Sequence, residues 1–164
     1  MSEKTWSELQ WNVIDNFFKH NPYCFVNHHI ETYNKFFNVE IFNIFKEKNP
    51  IKINKELNPK TNTYDLQCNL YLGGKTGDKL YYGKPIIYDD DNSHFMFPNE
   101  ARLRNMTYAF SIHYDVEVDF RILKDKGEGE GVDKFDVLEE TFIIPKVLLG
   151  RFPIMLSSYL CILN

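Results

Sequence analysis

The side chains with the most chemical potential in this sequence are not arranged to use it. His28-His29 precedes Glu31. Adjacent helical positions point about 100° apart, and HHxE lacks the spacing of the HExxH zinc motif. Asp89-Asp90-Asp91 lacks the alternating ligands of a calcium loop. It also lacks the separated carboxylates of a two-metal polymerase centre, so it reads as a solvated turn. Gly73-Gly74-Lys75-Thr76-Gly77 has the residue types of a phosphate loop without the GxxxxGK[ST] spacing, and it lies between two strand patterns. His113, between Ser111 and Asp115, reads as an exposed sheet histidine. No Ser/His/Asp or Cys/His set is legible. Cys24, Cys68 and Cys161 are far apart and form no CxxC pair. Their odd number, with no signal peptide, suggests a reducing compartment. The expectation is a chain with no catalytic residue, no metal ligand and no cofactor of its own.

The cationic residues offer more. Lys46, Lys48, Lys52, Lys55 and Lys60 outnumber Glu47 and Glu56 over one short stretch, and Arg102 and Arg104 stand two apart. Four of these, Arg102, Arg104, Lys52 and Lys55, are the candidates for nucleic-acid contact. Two arginines at i, i+2 share a face on an extended segment but not on a helical turn. Glu100 beside them favours an internal ion pair that orders the strand entry. The net charge of -4 argues for weak DNA binding by the chain alone, since phosphate neutralisation supplies most of such affinity.

Periodicity supplies the elements that must position these residues. Trp6, Leu9, Val13 and Phe17 form a helical stripe, widened by Ile14 and Phe18. Thr5 and Glu8 have capping-box spacing, and Pro22 ends the helix near His20. Val26, Ile30, Tyr33, Phe37, Ile41 and Ile44 form a second stripe from about Asn27 to Pro50, which Asn38 is expected to divide into two helices. The period then changes to two. Tyr64–Leu72 reads as a half-buried strand, and Leu80–Tyr88 as another with a bulge or edge at Pro85. Tyr108–Ile122 is the clearest alternation, followed by a mobile tip over Asp125–Gly131 and a partner strand within Phe135–Ile144. Pro145 and Gly150 are expected to punctuate the approach to Arg151.

A length of 164 residues suits one domain, and 16% aromatic content predicts a core of packed rings. No run of about 18 apolar residues is present, so no membrane partner is expected. The predicted fold is α+β: residues 1–50 helical, 51–164 mainly strands, with the N-terminal helices packed on a mainly antiparallel sheet.

Four segments carry a family resemblance. They are Trp11–Phe18; His28–Phe37; Tyr82-Gly83-Lys84-Pro85 leading into Phe97–Tyr108 with its Ala101-Arg102-Leu103-Arg104-Asn105 core; and Gly150-Arg151-Phe152-Pro153-Ile154-Met155-Leu156 followed by Cys161. In order and spacing they resemble the N-terminal part of the second-largest, beta-type subunit of multisubunit DNA-directed RNA polymerases. The wording of Phe45–Ile51 and Asn105–Tyr108 is closest to the subunits of large nucleocytoplasmic DNA viruses.

The resemblance implies a protrusion-like fold that walls one side of the DNA cleft. It implies other polymerase subunits as partners, above all the largest subunit, which holds the catalytic Mg2+. It implies DNA in the assembled complex, nucleotidyltransferase activity for that complex and none for this chain alone. The location would be intracellular, in a virion or the host cytoplasm or nucleus for a viral source. Ser157 stands where the family usually has a basic residue. The family also continues well past the equivalent of Asn164, so a partial protrusion domain with an incomplete sheet is expected: a truncated chain, one exon or a split-gene product. The alternative is a free-standing split-gene adaptor that docks other polymerase parts without touching DNA.

Overall fold

The computed structural model describes residues 3–59, 62–89, 92–125 and 135–163. It is α+β, with N-terminal helices and a mainly antiparallel sheet. Helix α1 spans Glu3–His20, α2 Asn27–Lys35 and α3 Ile41–Lys48. A π-helical turn, Phe36–Glu40, joins α2 to α3. The division expected at Asn38 is therefore a widened turn inside one continuous run. Helix α1 starts before Thr5, so a capping box at that position does not hold.

The strands are β1 Ile51–Asn58, β2 Thr63–Leu72, β3 Leu80–Tyr82, β4 Ile86–Asp89, β5 Asn92–Phe95, β6 Ala109–Asp125 and β7 Phe135–Pro153. A short helix, α4, covers Pro98–Leu103. β6 is the spine of the larger sheet. β7 pairs along its whole length on one side, while β2 and β3 pair with successive stretches on the other. β1 extends the sheet beyond β2, and β4 and β5 form a separate hairpin. Every pairing is antiparallel.

Three expectations need correction, and a fourth is left as it was. The basic stretch after Pro50, to which the periodicity assigned no element, is strand β1, whose Ile51 and Ile53 alternate with Lys52 and Asn54 opposite β2. It is a charged edge of the kind that discourages further strand pairing. Leu80–Tyr88 is not one strand but two, broken at Gly83-Lys84-Pro85. The Asp89–Asn92 turn is flanked by a strand pair, Asp89 facing Asn92; Asp90 and Asp91 lie outside the described residues. β7 runs through Pro145 and Gly150 instead of stopping at Ile144. It does so by bulging. Tyr114 faces Val147 and Val116 faces Ile144, so Pro145 and Lys146 together oppose Asp115. Lys146 takes a φ of 53°, and its N–H donates to Asp115 Oδ1 at 3.0 Å. The tip expected beyond Asp125, and Lys60, lie outside the described residues.

Among the described residues two apolar clusters hold the fold. In the larger, Phe37, Ile41 and Phe45, spaced i, i+4, i+8 along the helical run, meet Phe110 and Ile112 of β6 with Ile154 and Cys161. The predicted ring packing is present: Phe37 lies 5.3 Å from Phe110 and 5.9 Å from Phe152, both edge-on, and Phe45 stacks on Tyr114 at 5.6 Å. Replacing a ring so placed by Ala costs roughly 3–5 kcal/mol. Polar ends of the rings are satisfied. The Tyr82 hydroxyl donates to Phe37 O at 2.6 Å and the Tyr33 hydroxyl to Pro153 O at 2.8 Å. The Asn49 side chain clamps the end of β2, donating to Leu72 O and accepting from Leu72 N–H, both at 2.8 Å.

The smaller cluster joins Ile87, Met96 and Ala101, with Tyr108 alongside. It seats the β4–β5 hairpin and α4 beside β6. Helix α4 opens with Pro98 in its first turn and closes with Asn105 at a φ of 53°, where Met106 N–H returns to Ala101 O at 2.8 Å.

Candidate nucleic-acid interface

The four predicted contact residues are not brought together. Lys52 and Lys55, three apart on a regular stretch of β1, project from opposite faces of the sheet. Lys55 pairs with Glu56 at 3.4 Å, and both remain largely exposed. Arg102 and Arg104 belong to α4 and its C-cap, a helical turn, so they diverge. Arg102 is exposed and makes no ion pair among the described residues.

Arg104 is committed to the fold. Its Nη1 and Nη2 reach the two Asp89 carboxylate oxygens at 2.9 and 3.2 Å, and Nη2 lies 3.0 Å from Glu100 Oε1. The same Glu100 oxygen lies 3.0 Å from His94 Nε2. This cluster ties β4, β5 and α4 together. The bonds from Arg104 hold the Asp89 carboxyl below its ordinary pKa, and Asp89 in turn raises that of the guanidinium. The internal ion pair expected from Glu100 is thus present, with Asp89 as a second partner that proximity in sequence could not name.

What the fold does assemble is a concave site between the β4 hairpin and the β6–β7 ladder. Lys84, Arg104 and Arg151 line a cavity of about 360 Å³ together with Asp89, Tyr88 and Ser111. Ile87 and Met106 contribute apolar wall. Each cation arrives by a different route. Lys84 follows Gly83, whose N–H donates to Ser111 O at 2.8 Å and whose missing Cβ would sit 2.4 Å from Ser111 Oγ. Only glycine allows the chain so close to β6 at that break. Arg151 lies directly opposite Ser111 in the β6–β7 ladder. Lys84 Nζ rests 5.2 Å from the Phe95 ring centroid. Among the described residues neither Lys84 nor Arg151 has a carboxylate partner. Both stand in segments that carry the family resemblance, Tyr-Gly-Lys-Pro and Gly-Arg-Phe-Pro. What composition and spacing missed was their convergence, since 67 positions separate them.

Among the described residues no three His, Cys, Asp or Glu side chains cluster as metal ligands. The His28 and His29 rings lie 3.9 Å apart, but Glu31 accepts from Asn27 instead of joining them. His113 is half-buried, between Tyr81 of β3 and Leu148 of β7. Lys75, from the glycine-rich turn, pairs with Asp119 at 3.1 Å and Glu117 at 3.4 Å and so braces the sheet. No described helix is long and apolar enough to cross a membrane.

Comparison with known proteins decides the family. The sequence profile described as RNA polymerase beta subunit matches residues 24–164. The chain belongs to the RNA polymerase beta subunit family. It is 28% identical to DNA-directed RNA polymerase II subunit RPB2 of Eremothecium gossypii, over 96% of this chain and 13% of that protein. It is 30% identical to DNA-directed RNA polymerase II subunit 2 of Arabidopsis thaliana, over 98% and 13%. It is 33% identical to DNA-directed RNA polymerase subunit Rpo2N of Methanothermobacter thermautotrophicus, over 98% and 25%. The chain therefore spans about an eighth of the fungal and plant beta subunits and a quarter of the archaeal one, so the archaeal chain that carries this region is about half as long. The matched stretch contains the core helices, the whole sheet and the Lys84–Arg151 cavity.

Proposed function

We propose that this chain is the protrusion portion of the second-largest subunit of a DNA-directed RNA polymerase, a structural wall that helps to guide DNA. The observation that carries this reading is the family match over residues 24–164, which includes every strand of the described sheet. Residues 1–164 form part of that protrusion and contribute position and surface instead of chemistry. Catalytic Mg2+ would be held by the largest subunit. Partners are the other polymerase subunits, with DNA in the assembled enzyme, and the location is intracellular. A large-DNA-virus source rests on the resemblance in wording of Phe45–Ile51 and Asn105–Tyr108 alone; the three relatives compared are fungal, plant and archaeal.

A second reading, a free-standing adaptor, has one observation in its favour. Arg104, one of the four candidate DNA contacts, spends its charge on Asp89 and Glu100 of the same chain. One experiment separates the readings. The tagged chain is co-expressed with the remaining polymerase subunits, and the assembled enzyme is assayed for template-dependent RNA synthesis and for crosslinks from this chain to template DNA. We expect incorporation, synthesis only by the assembly, and DNA crosslinks. Incorporation without crosslinks supports the adaptor. Synthesis by the purified chain, or failure to enter any polymerase assembly, overturns both.

A further inference from the structure

We propose that helix α1 of one copy of this chain docks on the bare half of the large sheet in a second copy, giving a reciprocal dimer. The sheet supplies the first observation. Even-numbered residues of β6 share one face. Over its first half that face is roofed by the helical run, Phe37 lying edge-on to Phe110 and Phe45 stacking on Tyr114. The roof stops at the next layer. Asn49, just past α3, bonds Leu72, which faces Val116. The apolar face does not stop there. Val118, Phe120 and Ile122 continue it, with Leu70, Cys68 and Leu66 opposite them on β2. Its margins are open: Ile53 of β1 and Phe142 of β7 are 49% and 51% exposed. The reverse face of the same stretch carries Gln67, Asn69, Asp119 and Arg121, so one face alone calls for a cover.

Helix α1 is the counterpart. Its stripe, Trp6, Leu9, Val13 and Phe17, is 54% to 64% exposed. The dimensions agree. Eighteen residues make a helix about 27 Å long. The bare face runs about 20 Å from Val116 to Ile122. One helix laid along it continues the layer that α2 and α3 begin. The chain's own α1 is tethered at the wrong end. The helical run is aligned with β6: the Tyr33 hydroxyl bonds Pro153 O, opposite Ala109, and Phe45 reaches Tyr114 further along. Asn27, where the run begins, therefore lies about 40 Å from the middle of the bare face. Residues 21–26 join α1 to Asn27 through turns, with Cys24 N–H on Asn21 O, Asn27 N–H on Tyr23 O, and Phe18 stacked on Phe25 at 5.5 Å. Melting those turns and stretching the linker to about 25 Å still leaves the middle of the stripe short of the middle of the face. A second copy has no such tether. Stacking sheet on sheet would leave α1 bare, and pairing α1 with α1 would leave the sheet bare. Exchange about a two-fold axis closes both, through two equal contacts that together approach the roughly 1,200–2,000 Å² of a stable interface.

The test is sedimentation velocity of the 164-residue chain over a concentration series, with tryptophan emission read in parallel. Wild type should pass from monomer to dimer, and the emission should shift to the blue as it does so. Two variants separate the surfaces: Val13→Asp on α1, and Ile53→Asp with Phe142→Asp on the sheet. Each alone should weaken dimerisation roughly 30-fold or more, as loss of an interface hot spot does. Mixed together they should form a heterodimer, because one keeps an intact sheet face and the other an intact α1. Circular dichroism melts confirm folding, and Ile53→Asp alone replaces the pair if the double variant does not fold. A Val13→Asp chain that dimerises like wild type points to sheet on sheet and overturns the proposal. A sheet variant that dimerises like wild type points to α1 on α1 and does the same. Two monomeric variants that fail to combine, or a wild type that stays monomeric throughout, overturn it as well. These outcomes concern self-association and leave the polymerase assignment to the assembly experiment.

Discussion

Arg104 shows how a residue can look like a ligand contact and serve as a structural tie. It bonds Asp89 of β4 and Glu100 of α4, and through Glu100 it reaches His94 of β5. Arg104→Ala should therefore lower the melting temperature measurably while leaving salt-sensitive DNA affinity close to wild type. Arg102→Ala, with no partner lost, should leave melting unchanged. A result in which Arg104→Ala removes DNA binding without a change in melting would reverse the assignment. The same bonds set a pH dependence. The carboxyls of Asp89 and Asp115 are both held below their ordinary value, Asp89 chiefly by Arg104 and Asp115 chiefly by the Lys146 N–H. A carboxyl whose folded pKa is depressed contributes stability above its unfolded pKa, near 3.8 here, and that contribution is lost as the pH falls through the folded value.

At the alkaline end the sign reverses. Burial pushes the Tyr33 and Tyr82 hydroxyls up to about 12 from 10. The folded chain then holds protons that the unfolded chain has released, so stability is full below pH 10 and falls between 10 and 12. Denaturant midpoints measured across that window should drop, and Tyr82→Phe should flatten the drop. An unchanged profile in Tyr82→Phe would count against the buried-hydroxyl account.

At the scale of elements, the break between β3 and β4 decides whether the site exists. Gly83 brings the chain against Ser111, and the Lys84 side of the cavity depends on that approach. Gly83→Ala places a methyl 2.4 Å from Ser111 Oγ, so something must shift. The expected loss is about 1–3 kcal/mol, typical of overpacking. Ser111→Ala removes the clashing oxygen, and in the double variant a favourable coupling should recover much of the loss. Additive losses would place the defect elsewhere.

The same elements show what the sequence could and could not reveal. The long alternation in β6, the helical stripes and the change of period after Pro50 are all legible, because each reflects local periodicity. β1 is not, because its charges read as loop while its pairing with β2 is a matter of backbone. The passage of β7 through Pro145 is not, because it depends on Asp115 of another strand accepting the bulge. Arg102 and Arg104 are legible as candidates, yet their divergence comes from a short helix whose seat is Met96 and Ile87, set by tertiary packing.

At the scale of the molecule, the exposed apolar surface is only partly where the sequence points. An incomplete sheet would leave the apolar residues near the C-terminus open. Leu156 and Leu163 are indeed 55% and 64% exposed, but Ile154, Ser158 and Cys161 are buried, Ile154 N–H donates to Tyr108 O at 2.9 Å, and Ile162 N–H donates to the Tyr108 hydroxyl at 3.1 Å. Hydrogen exchange should therefore show protection at Ile154 and Ile162. More open surface is on α1 and β7. Trp6 and Trp11 are 56% and 65% exposed, with Phe17 and Val13 beside them, and Phe142, Ile143 and Leu148 are uncovered on β7. Exposed patches of this kind favour association, and an uncovered edge strand invites pairing. Because the two tryptophans of the chain both stand on α1, fluorescence reports that surface alone. At low concentration emission should be water-like and readily quenched by iodide. As concentration rises, size-exclusion chromatography should show larger species. Deleting residues 1–20 should reduce association if α1 drives it, and should leave the melting of the Phe37–Phe110 core nearly intact. Charged substitutions at Phe142 and Ile143 test the β7 edge in the same way. A monomer at all concentrations, with blue-shifted and protected tryptophans, would mean that α1 folds back on the sheet and that this apolar surface is closed in solution.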